Sequence, residues 1–164
     1  MKALITGGTG FVGKALAARL LADGHSVRIL TRGTHNQATR PGVEFVKADY
    51  SRVETLTHAV SGCDTVIHLA AALFASSEEE FVRANVNATG NLVKACNLVA
   101  QAPRTFVYLS SLAAGGPSDD PVRPRDENMP EAPVSAYGRT KLAGEKELSL
   151  LVPATRRVIL RAPI

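Results

Sequence analysis

The sequence predicts an α/β fold: a doubly wound, mostly parallel sheet of six strands in one domain spanning residues 1–164. Two observations predict it. Short apolar runs alternate with longer amphipathic segments along the whole chain, the rhythm of a parallel sheet covered by helices on both faces. Three glycines, Gly7, Gly10 and Gly13, stand at three-residue spacing between the first strand-like run and the first helix-like one. No internal repeat or low-complexity tract interrupts this order.

The elements follow in turn. Ala3-Leu4-Ile5 is a continuous apolar run and reads as a buried strand. The segment after the glycines carries Val12, Leu16 and Leu20 on one helical face. It stops at Gly24, a residue suited to the left-handed position beyond a helix end. Val27-Arg28-Ile29-Leu30 and Val43-Glu44-Phe45-Val46 read as the second and third strands. Residues 52–61 form a short helix, residues 65–69 a fourth strand and residues 79–100 one long helix. Phe106-Val107-Tyr108-Leu109 is the fifth strand. Residues 115–133, rich in Pro, Asp and Gly, form a long surface loop. Residues 135–150 are helical again, and Arg157-Val158-Ile159-Leu160 is the sixth strand.

Composition narrows the function classes. A chain of 164 residues with 45% hydrophobic content suits one globular domain. The net charge is +4 and the pI about 9.3, yet the 19 Lys and Arg are scattered and only 5% of residues are aromatic. A basic stripe with stacking aromatics is therefore lacking, and no nucleic-acid partner is expected. Cys63 and Cys96 form neither a CxxC pair nor a metal-ligand spacing, so no metal centre is expected. The chain opens on a strand instead of a leader, and no apolar run approaches a membrane span. The expectation is a cytoplasmic protein with no membrane partner.

The glycine turn carries the first specific chemistry. Gly7 permits the tight turn, Gly10 lets the backbone approach a pyrophosphate, and Gly13 lets helix and strand pack closely, as in the Rossmann dinucleotide fold. The helix N-terminus then aims free N–H groups at the anion. Gly7, Gly10, Phe11, Val12 and Gly13 are thus candidates to hold a nicotinamide dinucleotide. An NAD-selective site places a carboxylate at the end of the second strand. Here Arg32 stands there, able to pair with a 2′-phosphate, so NADP(H) is favoured and NAD(H) is the alternative. Asp49, with Tyr50 beside it just past the third strand, is either an acceptor for the adenine amino group or a turn aspartate.

Tyr137 and Lys141 lie one helical turn apart on one face. A free phenol has a pKa of about 10 and is a poor base near neutrality. A neighbouring ammonium favours the phenolate, so the hydroxyl can shuttle a proton to or from a substrate oxygen. Ser110 and Ser111 end the fifth strand, where ligands gather in doubly wound sheets. A hydroxyl there can stabilise charge on the same oxygen.

Thr6 to Gly13, His68-Leu69-Ala70-Ala71, Asn85-Val86-Asn87, Leu109-Ser110-Ser111 and Tyr137-Gly138-Arg139-Thr140-Lys141 occur in an order and spacing that resembles the short-chain dehydrogenase/reductases. The GxxGxxG spacing and the YGRTKLAGE stretch are similar to the extended branch, the NAD-dependent epimerase/dehydratase group. The resemblance covers nearly the whole chain. It implies Tyr137 as general acid/base, and Lys141 as the residue that lowers its pKa and holds the nicotinamide ribose. It implies Ser111, with Ser110 as fallback, as the group polarising the substrate carbonyl. Leu69, Ala70 and Ala71 would line the cofactor near the adenosine ribose, and Pro163 would back the nicotinamide. Asn85 would support the polar network of the site, with helix-surface roles open for Asn85 and Asn87. The resemblance also implies a homodimer through the helices at 79–100 and 135–150.

Members of the extended branch continue for on the order of a further hundred residues, a domain's length that carries most of the substrate pocket. The sequence therefore reads as a truncated chain lacking the C-terminal substrate lobe, with its sixth-strand edge and one sheet face poorly covered. The leading expectation is an NAD(P)-dependent oxidoreductase or epimerase-type enzyme moving a hydride between nicotinamide and a secondary alcohol or ketone. Its substrate would be a sugar nucleotide or another small carbonyl compound, and Arg32 tilts the expectation toward a net reductase. The alternative is a non-catalytic NADP(H)-binding sensor or assembly subunit.

Overall fold

The computed structural model describes residues 1–33, 40–118, 122 and 124–163. Its elements are β1 (Lys2–Thr6), α1 (Phe11–Ala22), β2 (Ser26–Thr31), β3 (Val43–Lys47), α2 (Val53–Val60), β4 (Thr65–His68), α3 (Glu78–Phe81), α4 (Ala88–Leu98), β5 (Thr105–Ser111), α5 (Ala136–Glu147) and β6 (Arg156–Ala162). All six strands are parallel and lie in the order β3-β2-β1-β4-β5-β6. The order reverses beside β1, so the C-terminal ends of β1 and β4 flank the crevice where doubly wound sheets take ligands. This is the Rossmann architecture.

Alternation along the strands divides the core. One face carries Leu4, Leu30, Val66, Phe106 and Tyr108, which pack against Leu56 of α2, Leu92, Val93 and Cys96 of α4 and Leu148 after α5. The opposite face carries Ile5, Val27 and Ile29 against Ala17 of α1, flanked by Leu16 and Leu20. Gly24 takes φ +78° just past α1, the left-handed position predicted for it. At the far edge, Ile159 and Leu160 of β6 remain 41% and 50% exposed, which agrees with the expected poor cover of the sixth strand. Among the described residues no helix is long and apolar enough to cross a membrane.

The long helix predicted over 79–100 is a composite. Between α3 and α4 lies a π-helical stretch, Val82–Asn87, whose hydrogen bonds span one residue more than those of an α-helix. The physical reason lies at Asn85, which is 1% exposed. Its Oδ1 accepts from the Ala72 amide at 2.8 Å, while its Nδ2 donates to the Ala72 carbonyl at 3.1 Å and to Thr140 Oγ1 at 3.2 Å. Thr89 Oγ1 donates back to the Asn85 carbonyl at 2.7 Å, a bond that competes with the helical ladder. The wider turn aims the amide inward, where periodicity alone reads an ordinary helix. The helix predicted over 135–150 likewise ends its α-helical part at Glu147 and closes with a 3-10 turn, Leu148–Leu150.

Candidate active site

The glycine turn is built as the spacing predicts. Gly7 has φ +67°, and a Cβ there would lie 2.9 Å from the Ala70 amide nitrogen. A Cβ on Gly13 would lie 2.3 Å from the Gly7 carbonyl oxygen and 2.5 Å from Gly8 Cα, so α1 can sit against the turn only without a side chain. The Gly10 amide donates to the Gly7 carbonyl at 3.0 Å, closing the turn. α1 begins at Phe11 with no side-chain cap and no acidic residue in its first turn. Its first amides and the positive end of its dipole are left for an anion, so these residues fit a dinucleotide pyrophosphate. Phe11 and Val12 stand exposed beside the turn, and Arg32 is exposed just after β2.

Beneath the turn runs a buried polar chain. The Ala70 amide donates to Thr6 Oγ1 at 3.1 Å, and Thr6 Oγ1 lies 2.6 Å from His68 Nδ1. His68 Nε2 lies 3.0 Å from Thr89 Oγ1, whose own proton goes to the Asn85 carbonyl. Thr89 can therefore only accept from the ring, which fixes the proton on Nε2 and makes Nδ1 the acceptor of the Thr6 hydroxyl. His68 is 1% exposed. Burial, reinforced by the charge of Lys141, pushes its pKa down from 6.5 to about 3. Thr140 extends the chain by accepting from Asn85 and donating to the Tyr137 carbonyl at 2.9 Å. The strand that opens into the glycine turn is thus joined to the helix bearing Tyr137.

An acid-stability prediction follows from the depressed His68 value. As pH falls below about 6.5 the unfolded chain binds a proton that the folded chain refuses until about 3, so stability is lost across that window. The loss is on the order of 1 kcal/mol per pH unit from this group. Urea unfolding of the wild type and His68→Gln between pH 7 and 4 should show a shallower pH slope in the variant. Equal slopes would mean that His68 is not held neutral.

At the C-terminal end of β5, three successive residues grip α5. The Leu109 carbonyl accepts from Lys141 Nζ at 2.7 Å. The Ser110 hydroxyl donates to Glu145 Oε1. The Ser111 hydroxyl interacts with that of Tyr137 and also accepts from the Ala113 amide at 3.1 Å. Ser135 caps α5 by accepting from the Gly138 amide at 3.0 Å, which sets Tyr137 in the first turn. Gly138 allows the approach, since a Cβ there would lie 2.3 Å from the Ala113 carbonyl oxygen.

The electrostatics correct one part of the sequence reading, because Lys141 does not bring Tyr137 below the usual phenol range here. Burial holds Tyr137 above the usual phenol range, opposed by the Ser111 hydroxyl, so the structure leaves it protonated at neutral pH. Lys141 is 1% exposed, with Nζ 4.0 Å from the Tyr108 ring centroid. Desolvation lowers its pKa to about 8, opposed by Glu145. Its Nζ donates to the β5 carbonyl and faces that ring.

The remaining candidates take distinct places. Both serines are buried; the Ser111 hydroxyl meets Tyr137, whereas that of Ser110, the fallback, goes to Glu145. Asn85 is a buried member of the polar chain and Asn87 is exposed. Asp49 Oδ1 accepts from the Ser51 amide and hydroxyl, both at 2.8 Å, the turn role. Tyr50 packs against the larger core cluster and its hydroxyl meets Thr6. Burial pushes its pKa up to about 12. Leu69 and Ala70 are partly buried beside Gly7, Ala71 is exposed, and Pro163 is exposed just beyond β6. Sequence reasoning assigned no role to Thr6, His68, Thr89, Thr140, Glu145 and Arg161. Thr6, His68, Thr140 and Glu145 lie within the motif stretches that carry the resemblance, whereas Thr89 and Arg161 lie outside them.

Comparisons with known proteins bear on the family and the fold. The model of the NAD dependent epimerase/dehydratase family matches residues 3–161. The chain is similar to dTDP-6-deoxy-L-talose 4-dehydrogenase (NAD(P)(+)) of Kitasatospora kifunensis, 35% identical over 93% of this chain and 48% of that protein. It is also similar to UDP-glucose 4-epimerase of Corynebacterium glutamicum, 34% identical over 87% of this chain and 44% of that protein. Among solved structures, a short-chain dehydrogenase/reductase superfamily protein from Agrobacterium tumefaciens with bound NAD aligns at TM-score 0.82. It is 30% identical, with 98% of this chain and 48% of that one covered. The chain spans about a third to a half of the length of the curated relatives it matches.

Proposed function

Since the chain belongs to the NAD dependent epimerase/dehydratase family, we propose that it is the cofactor-binding and proton-transferring part of an NAD(P)-dependent oxidoreductase or epimerase-type enzyme. Its substrate is a secondary alcohol or ketone on a sugar nucleotide or a similar small carbonyl compound. The observation that carries this reading is the meeting of the Ser111 and Tyr137 hydroxyls at the end of β5, on the same edge of the sheet as the glycine turn. A bound nicotinamide supplies the carbon that gives or takes the hydride. The turn and the first amides of α1 hold the pyrophosphate. The Tyr137 hydroxyl, kept protonated by burial, donates its proton to the carbonyl oxygen as hydride arrives, and takes it back in the reverse direction. Ser111 donates to the same oxygen and steadies its developing charge. The Lys141 ammonium supports the phenolate left behind.

Arg32 favours NADP(H) over NAD(H), because an exposed guanidinium at the end of β2 can pair with a 2′-phosphate. Titration of the protein with NADPH and NADH, read by nicotinamide fluorescence, tests both parts. NADPH should bind tighter, and Arg32→Ala should weaken NADPH by about tenfold while sparing NADH. Equal weakening of both would overturn the 2′-phosphate assignment. Binding of neither would overturn the functional reading.

A further inference from the structure

The grip of β5 on α5 contains a group that the proton-transfer reading leaves unused. Glu145 lies one helical turn beyond Lys141 and is 8% exposed. Its Oε1 accepts from the Ser110 hydroxyl and from Arg161 Nε at 3.0 Å, and its Oε2 accepts from Arg161 Nη2 at 2.7 Å. Ser110 and Arg161 are register partners on β5 and β6. The carboxylate is therefore clamped by two neighbouring strands from beneath while its own helix carries Lys141 on the same face. A buried ion pair of this kind is weak evidence for stability, because desolving the charges offsets their attraction. Placement of charge beside Lys141 is its more specific consequence.

We propose that Glu145, fixed by Ser110 and Arg161, is a positioning residue that holds Lys141 as an ammonium against its burial. This rests on the reading of Tyr137 and Lys141 as the proton-transferring pair. Among the described residues, the titratable groups around Lys141 are few. Tyr137 shares its helix, the Tyr108 ring lies beneath it on β5, and His68 on β4 is neutral. Arg161 on β6 is turned to Glu145 and to Glu131, which accepts from its Nη2 at 3.0 Å. Glu145 is thus the anion that offsets the desolvation of Lys141. The Ser110 bond keeps that anion aimed and the Arg161 charge limits its field, so removing the Glu145 charge must lower the Lys141 midpoint and removing the Arg161 charge must raise it.

The test is a 13C titration of lysine Cε in the cofactor-free protein, with the Lys141 signal assigned by its loss in Lys141→Met. Wild type should show a Lys141 midpoint near 8. Glu145→Gln should lower it by about one pH unit, and Arg161→Gln should raise it, since the carboxylate then acts unneutralised. Glu145→Asp should lie between wild type and Glu145→Gln, and Glu131→Gln, on the exposed side of Arg161, should leave the midpoint where it was. The alkaline limb of NADPH-dependent turnover should move with the Glu145→Gln midpoint. An unmoved midpoint in folded Glu145→Gln, or shifts of one sign in both charge variants, overturns the proposal. If neither charge variant folds, the cluster is structural and the proposal also fails. The titration needs neither cofactor nor substrate, so its failure is distinct from failure of the functional reading, which shows as absent dinucleotide binding.

Discussion

Carbonyl-driven oxidation of NADPH is expected to fall roughly 10²–10⁴-fold in Tyr137→Phe, with NADPH affinity kept within about twofold. The substitution removes one oxygen and leaves the ring, which packs near Phe81 with centroids 6.2 Å apart. Ser111 keeps its bond from the Ala113 amide, and Lys141 keeps its bond to the Leu109 carbonyl, so the surroundings of the lost hydroxyl have other anchors. What disappears is the proton that neutralises the carbonyl oxygen as hydride arrives, a barrier increase of about 3–5 kcal/mol at 1.36 kcal/mol per decade. The measurement follows absorbance of NADPH with a panel of sugar-nucleotide ketones and simple ketones. Equal turnover in both proteins would remove Tyr137 from the chemistry. Binding of NADPH with no turnover in either would leave dinucleotide binding as the function of this chain.

The fold was legible because its signals are local and periodic. Each strand is a short apolar run, and Gly7 and Gly13 stand where a Cβ would strike backbone. The pairing of Tyr137 with Lys141 was legible in the same way, since residues four apart must share a helical face. What stayed hidden depends on contacts far apart in sequence. The π-helical widening at Asn85 comes from bonds to Ala72 and Thr140, 13 and 55 residues away, which leave no mark on helical periodicity. Which of two adjacent serines faces Tyr137 is decided by the strand's alternation together with the position of α5: Ser110 turns to Glu145 and Ser111 to the phenol. The sequence placed Lys141 beside Tyr137 but not its bonds, which go to the β5 carbonyl and the Tyr108 ring. Asp49 had two readings in sequence, and the structure shows its Oδ1 in the turn with Ser51.

Gly13→Ala is expected to destabilise the protein by at least about 2 kcal/mol and to abolish dinucleotide binding. The methyl would sit 2.3 Å from the Gly7 carbonyl oxygen and 2.5 Å from Gly8 Cα. Those are backbone atoms of the turn, with no flexible side-chain end to swing aside, so α1 must lift from β1 or the turn must open. Either movement displaces the first amides of α1 from the pyrophosphate. For a domain of this size the loss should lower the melting temperature by about 4–8 °C. Gly10→Ala separates folding from binding. Its Cβ meets only the Gly7 carbonyl oxygen, at 3.3 Å, a contact that a shift of a few tenths of an ångström relieves. That variant should melt near the wild type yet bind NADPH more weakly, because its methyl occupies the approach to the phosphates. Calorimetry beside the fluorescence titration reads both effects. If Gly10→Ala binds NADPH as tightly as the wild type, the dinucleotide does not pass over this turn. If Gly13→Ala melts like the wild type, the close packing of α1 on the turn is not what holds the helix in place.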